Sequence, residues 1–139
     1  MKPILSILVL GALAACSAEG PVLRPIDEDL HSVRAEEFLN PDIALYFGKS
    51  QVKGKNLGTY VSNKKTNSSN KNATEACQIA FLSAVKSLQD RAVREGGNAV
   101  IDIHSFYNKV PEWSNTTYRC KDGHLMSGVA LRGTVIKKK

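Results

Sequence analysis

One stretch constrains what this chain can fold into more than any other. Residues 72–95 carry Ala73, Cys77, Ala80, Phe81, Ala84, Val85, Leu88 and Ala92, which fall within about 140° of arc on a helical wheel. Glu75, Gln78, Lys86, Gln89, Asp90 and Arg94 lie opposite. Asn72 is a good N-cap, because its side chain can accept from an amide that the first helical turn leaves unpaired. Glu75, three residues on, completes a capping-box pair. Gly96 supplies the left-handed residue that ends such a helix. A helix with one apolar face must lay it on something, and the segments around it read as strands.

Residues 43–47 alternate, with Ile43, Leu45 and Phe47 on one face, and Gly48 ends them. Residues 49–56 are polar and read as a connection. Residues 57–63 form a second strand candidate. Residues 64–71 are Lys, Asn, Ser and Thr with no apolar side chain, so they read as a mobile loop whose lysines are open to an anionic partner. After the Gly96-Gly97 turn, residues 99–107 form a strand. Simple alternation points Ala99, Ile101 and Ile103 one way, and Val100, Asp102, His104 and Phe106 the other. Residues 108–115 hold Pro111 and Trp113 and read as a loop, and residues 116–120 as a short strand. Asp122-Gly123 signals a turn. Residues 126–136 form the last strand, with Val129, Leu131 and Val135 inward and Gly128 and Gly133 marking bulges or close backbone approach. The final three lysines stay solvated. Short turns favour antiparallel pairing. The expected fold class is therefore α+β, with one main helix packed on a mainly antiparallel sheet of about four or five strands. Ala76, Ala80 and Ala84 keep the helix thin enough to approach that sheet closely.

The N-terminal residues bear on compartment. Lys2 precedes an apolar run over residues 4–13, too short for a comfortable membrane span, and small residues follow. Leu13-Ala14-Ala15-Cys16 resembles the bacterial lipobox, in which the cysteine sulfur takes a diacylglycerol and becomes the new N-terminus. Ordinary cleavage after Ala14 also fits the small-x-small rule. Cysteine arithmetic favours lipidation: there are three cysteines, and acylating Cys16 leaves Cys77 and Cys120 to pair in an oxidising compartment. Ser17 after the cysteine resembles the outer-membrane sorting signal. The expected organisation is a signal peptide over 1–15, a lipidated tether over 16–26 and one domain over 27–139. Within that domain Asp27 caps a helical stretch that Asn40-Pro41-Asp42 stops.

The formal charge is +6, and losing Lys2 with the signal leaves the chain basic. At a bacterial envelope such a surface favours anionic lipid, glycan or protein. No aromatic residues interleave with the basic ones as a single-strand nucleic-acid platform requires, so nucleic acid is not an expected partner. There is no phosphate-cradling loop, nucleophile elbow or His-Glu-x-x-His motif, so no cofactor and no enzymatic role are expected. Asp102 and His104 are candidate metal ligands, with His124 a third, but their spacing matches no metal motif, so no metal is expected. Ile79, Leu82 and Val93 point away from the main helical arc. Either the N-terminal stretch or a neighbouring loop covers them, or they form a second face for a partner.

Several segments together resemble a family. They are Leu45-Tyr46-Phe47-Gly48, Asn63-Lys64-Lys65-Thr66-Asn67, Glu75-Ala76-Cys77-Gln78, Arg94-Glu95-Gly96-Gly97-Asn98-Ala99-Val100 and Gly128-Val129-Ala130-Leu131-Arg132-Gly133-Thr134-Val135. The pattern is similar to small exported proteobacterial proteins often labelled "excinuclease ATPase subunit". A repair ATPase needs a nucleotide loop and a cytoplasmic address, and this chain has the residues for neither. More distantly, the helix, Gly-Gly-Asn-Ala-Val and strand are similar to RcsF and YbjQ-like domains, in which a helix lies on a small sheet. These resemblances imply a non-enzymatic periplasmic or outer-membrane lipoprotein, an interaction or envelope-stress module. The alternative is a small ligand-binding or assembly domain that uses the basic surface or the Ile79/Leu82/Val93 face.

Overall fold

The structure, a computed structural model, describes residues 20–139. The order of elements is β1 (Gly20–Pro25), α1 (Ile26–Leu30), α2 (Val33–Phe38), β2 (Ala44–Phe47), β3 (Gly54–Asn67), α3 (Ala73–Arg94), β4 (Ala99–Ser105), a 3-10 turn (Tyr107–Lys109), β5 (Thr117–Asp122) and β6 (Met126–Lys138).

The long helix forms where the caps place it. Asn72 Oδ1 accepts from the Glu75 amide at 2.7 Å, and Gly96 closes the helix at φ +78°. Its inward face lies on the sheet. Ala76, Ala80, Ala84 and Ala92 are fully buried, with Phe81, Val85 and Leu88 between them. Small residues let the backbones approach, and Gly133 completes the fit from the other side. A Cβ there would lie 2.8 Å from Val100 Cγ1 and 3.2 Å from Ile103 Cγ1.

Among the described residues six strands form one sheet. β6 is its spine. β3 pairs antiparallel with β6 along one edge, from Gly54↔Lys138 to Asn67↔Met126. The other edge of β6 is shared by β5 near its start and β4 toward its end. β1 pairs antiparallel outside β5, and β2 pairs parallel outside β4. The α+β class stands, but the strand count exceeds four or five and the directions are mixed. The parallel pair arises because residues 48–53 and then α3 each carry the chain back, so β2, β3 and β4 all run in one direction, opposite to β6.

Three local expectations are corrected. The polar run 64–71 is not a free loop: Lys64 to Asn67 continue β3 in register with β6. An edge strand needs no apolar residues on its solvent face, and lysines there block pairing with a second chain. Residues 20–25, expected to belong to a tether, instead form strand β1, with Gly20 opposite Asp122. The stretch after it splits into two short helices. Ser32, not Asp27, supplies a side-chain cap, accepting from Ala35 N.

The fourth correction concerns β4. Asp102 sits at φ +54°, and the register slips between Ile101 and His104 against β6. This bulge inserts one residue and inverts the alternation beyond it. Val100 and Ile103 therefore both face α3 in the main core, while Ala99 and Ile101 join Ile136 on the opposite side, under Tyr46 and Val52.

Candidate functional site

Cys77 and Cys120 form a disulfide, with their Cα atoms 5.9 Å apart, tying the first turns of α3 to β5. Both cysteines are fully buried, so the bridge is an internal staple. Beside it Tyr118 stacks on Phe81, ring centroids 3.9 Å apart. The Tyr118 hydroxyl donates to Asp29 Oδ2, and Gln78 Nε2 donates to Asp29 Oδ1 at 3.1 Å. Burial, then the Asp29 carboxylate beside it, pushes the Tyr118 hydroxyl well above the usual tyrosine range. Asp29 is 2% exposed. This cluster fastens α1 to α3 and β5, and its reactive atoms are sealed from solvent. Gln89, placed by the wheel among the polar residues, is also buried. It accepts from Asn40 N at 2.8 Å and donates to the carbonyls of Asn40 and Ile43 at 2.9 and 3.0 Å, which anchors the turn before β2.

The other side of the sheet has different chemistry. Alternation along β6 sends Gly128, Ala130, Arg132 and Thr134 away from α3, because Val129, Leu131 and Val135 face it. The ladders extend each into a row: Val61–Arg132–His104, and Lys65–Gly128–Lys121. Between these rows Phe106 N bonds to Ala130 O at 2.9 Å. Small residues at Gly128 and Ala130 leave a trough. The 3-10 turn walls it with Tyr107 and Lys109, and the result is a groove of about 610 Å³. Its lining holds Lys65, Lys109 and Lys121, the rings of Phe106 and Tyr107, and no carboxylate.

That wall is held by a bidentate ion pair. Arg119 donates from Nη2 and Nε to the two Glu112 oxygens at 2.7 and 3.0 Å, and Glu112 N bonds to Ser105 O at 2.9 Å. Asn108 and Lys109 both adopt positive φ, 52° and 62°. For a lysine this conformation is uncommon and stores strain. The groove's rim thus carries a cation in a conformation the backbone would not choose unaided.

Next to the groove, His104 stacks against Trp113 with centroids 3.8 Å apart. Lys49 lies over Trp113 at 5.5 Å and Arg132 over Phe106 at 5.2 Å. His104 Nδ1 donates to the Asp102 carbonyl at 2.8 Å. Burial lowers the His104 pKa below its ordinary 6.5, Arg132 lowers it further, and the Asp102 carbonyl opposes them. Asp102 Oδ1 accepts from Ser50 N at 2.8 Å, which folds residues 48–53 over the smaller core. The two candidate ligands are therefore neighbours, but Asp102 spends its carboxylate on a loop amide. Among the described residues no group of three possible metal ligands converges.

The proposed second helix face does not hold together. Leu82 is buried in the main core, Val93 is 54% exposed, and Ile79 is half-buried in a shallow depression shared with Phe38 of α2. α2 lies against this part of α3, so the N-terminal stretch covers the centre of the proposed face. Cys16 lies outside the described residues. Lys109 and Lys121 were not singled out by the sequence, because only the β3–β6–β5 register puts Lys121 across from Lys65. Among the described residues, no helix is long and apolar enough to cross a membrane. No protein-family model, curated protein or solved structure matches this chain.

Proposed function

We propose that this chain is a non-enzymatic recognition module of a bacterial cell envelope. It is moored through an acylated Cys16 and works by holding an anionic envelope component in the groove opposite α3. The groove lining carries the proposal: three lysines and two aromatic rings around a Gly128/Ala130 floor, with no carboxylate among them. Cations converging without counter-charges keep a field that attracts negative ligands, and an open trough with aromatic walls suits a headgroup or sugar ring better than an enclosed substrate. A disulfide-stapled interior fits an oxidising compartment. Of the two surfaces the sequence offers for binding, the basic one is favoured, since Leu82 at the centre of the helix face is buried.

The test is an NMR titration of the labelled, lipidated chain in nanodiscs with soluble anionic and neutral glycans and short-chain lipids. Amide shifts centred on Gly128, Ala130 and Tyr107 with anionic ligands alone are expected. Equal shifts with neutral ligands, or shifts centred on α3, would overturn the assignment.

A further inference from the structure

We infer that the groove end of the domain docks on the same membrane that anchors the chain, with anionic lipid headgroups as its occupant. The inference rests on the reading of Cys16 as acylated and names the partner of the groove. It starts from where the tether stops. β1 begins at Gly20, and the four residues from Cys16 to Gly20 reach no farther than about 14 Å in any conformation. Gly20 pairs with Asp122, and Pro21 with Lys121. An anchor at Cys16 therefore holds the β5–β6 turn, and not the opposite end of the sheet, within one short span of the lipid surface.

That turn has the composition of a membrane-contacting tip. Leu125 is 73% exposed and Met126 47%. The turn is braced by the residue that follows β3, since Ser68 N bonds to Leu125 O at 2.9 Å. Two residues along the ladder from Met126 comes the Lys65–Gly128–Lys121 row, with Lys109 and Tyr107 on the groove's far wall. Asp122, the nearby carboxylate, accepts from Ser127 Oγ at 3.2 Å. Apolar side chains at the tip with lysines one step behind match the layering of a membrane, where acyl chains lie beneath anionic headgroups. Because the anchor already confines the domain, weak contacts suffice to keep it docked.

The experiment uses the full lipidated chain, with Leu125→Cys carrying an environment-sensitive fluorophore, in vesicles of phosphatidylethanolamine with or without about one-third phosphatidylglycerol. A label at Val93→Cys, exposed in the last turn of α3 at the opposite end of the sheet, is the control. Docking predicts a blue shift and loss of acrylamide quenching at position 125 in anionic vesicles, with little change at position 93. Lys65→Glu with Lys121→Glu should shift the docked fraction back, roughly fivefold for each lysine removed from an anionic surface, while near-ultraviolet circular dichroism stays as in the parent. An acylated chain whose position 125 stays as quenchable as position 93 overturns the docking and leaves the mooring intact. A mass showing Cys16 without acyl chains overturns both. Protection that rises with protein concentration in neutral vesicles would assign the tip to a second copy and overturn the lipid assignment.

Discussion

On the side under α3, β6 presents Val129, Leu131 and Val135 to a helix of alanines, Phe81 and Leu88. On the other side the same strand presents Gly128 and Ala130 to a lysine-lined trough. One face is closed, apolar and cross-linked, and the other is open, cationic and aromatic. The stability of the domain is concentrated in the first face, while the second is carried by it at little energetic cost. Substitutions on the two faces should therefore have opposite signatures: loss of folding from the closed side, loss of binding from the open side.

The largest effect is expected on the closed side. Replacing Cys77 and Cys120 together by Ser frees a loop with a sequence separation of 43, which costs about 4 kcal/mol in the chain-entropy account. Urea midpoints of the double variant and of the reduced parent should fall together. If neither moves, the bridge is not what holds the closed face and the contrast weakens. Next comes Tyr118→Phe, which leaves Asp29 Oδ2 buried without its donor and should cost about 1–3 kcal/mol. The same variant sharpens a pH effect. An unfolded tyrosine ionises near 10.0, whereas folded Tyr118 is held neutral by burial and by Asp29. Above that pH the unfolded state binds fewer protons, so stability falls as pH rises. In Tyr118→Phe this share of the alkaline loss should vanish from denaturation midpoints.

Two glycines of one strand give the most direct comparison of the faces. Gly133→Ala pushes a Cβ to 2.8 Å from Val100 Cγ1 and should cost about 1–3 kcal/mol. Gly128→Ala on the open face meets Lys65 Cγ at 3.4 Å, an ordinary contact, and should leave the melting temperature within a degree or so of the parent. Equal losses at both positions would mean that the open face is packed as tightly as the closed one.

The closed face was largely legible in the sequence. Asn72, the alanine ladder and Gly96 define α3 by short-range rules, and alternation alone placed Val129, Leu131 and Val135. The open face was hidden for physical reasons. Polarity made residues 64–67 look unstructured, because a rule about burying apolar surface does not see an edge strand that needs only backbone pairing. The Asp102 bulge turned His104 and Phe106 to the groove side together while moving Ile103 to the other, which strict alternation cannot foresee. Lys65, Lys109 and Lys121 are distant in sequence and become neighbours only through the register. Gln89 and Tyr118 were hidden too, since a wheel cannot show that a polar group will find buried partners.

His104 offers a smaller effect on the open side. Its pKa is lowered by burial under Trp113, so below pH 6.5 the unfolded state takes up the proton more readily and stability falls as pH drops. Denaturation curves at about pH 7 and pH 5 should diverge less in His104→Gln than in the parent. An unchanged divergence would show that His104 is solvated rather than packed.

The smallest effect on stability is expected where the effect on function should be greatest. Lys65, Lys109 and Lys121 are exposed, and their charges face a groove without carboxylates, so no ion pair within that lining is lost when they change. Replacing all three by Glu should alter folding by no more than about 0.5 kcal/mol per site. Lys109 is the exception in sign: at φ 62° it is strained, and Lys109→Gly should stabilise slightly by releasing that strain. Binding should respond in the opposite sense. Three reversals turn a converging positive field into a negative one, and an anionic ligand that shifts Gly128 and Ala130 in the parent should shift neither in the triple variant. A triple variant that unfolds would place these lysines in the structural economy of the closed face. One that folds and still binds would remove the groove from the recognition surface.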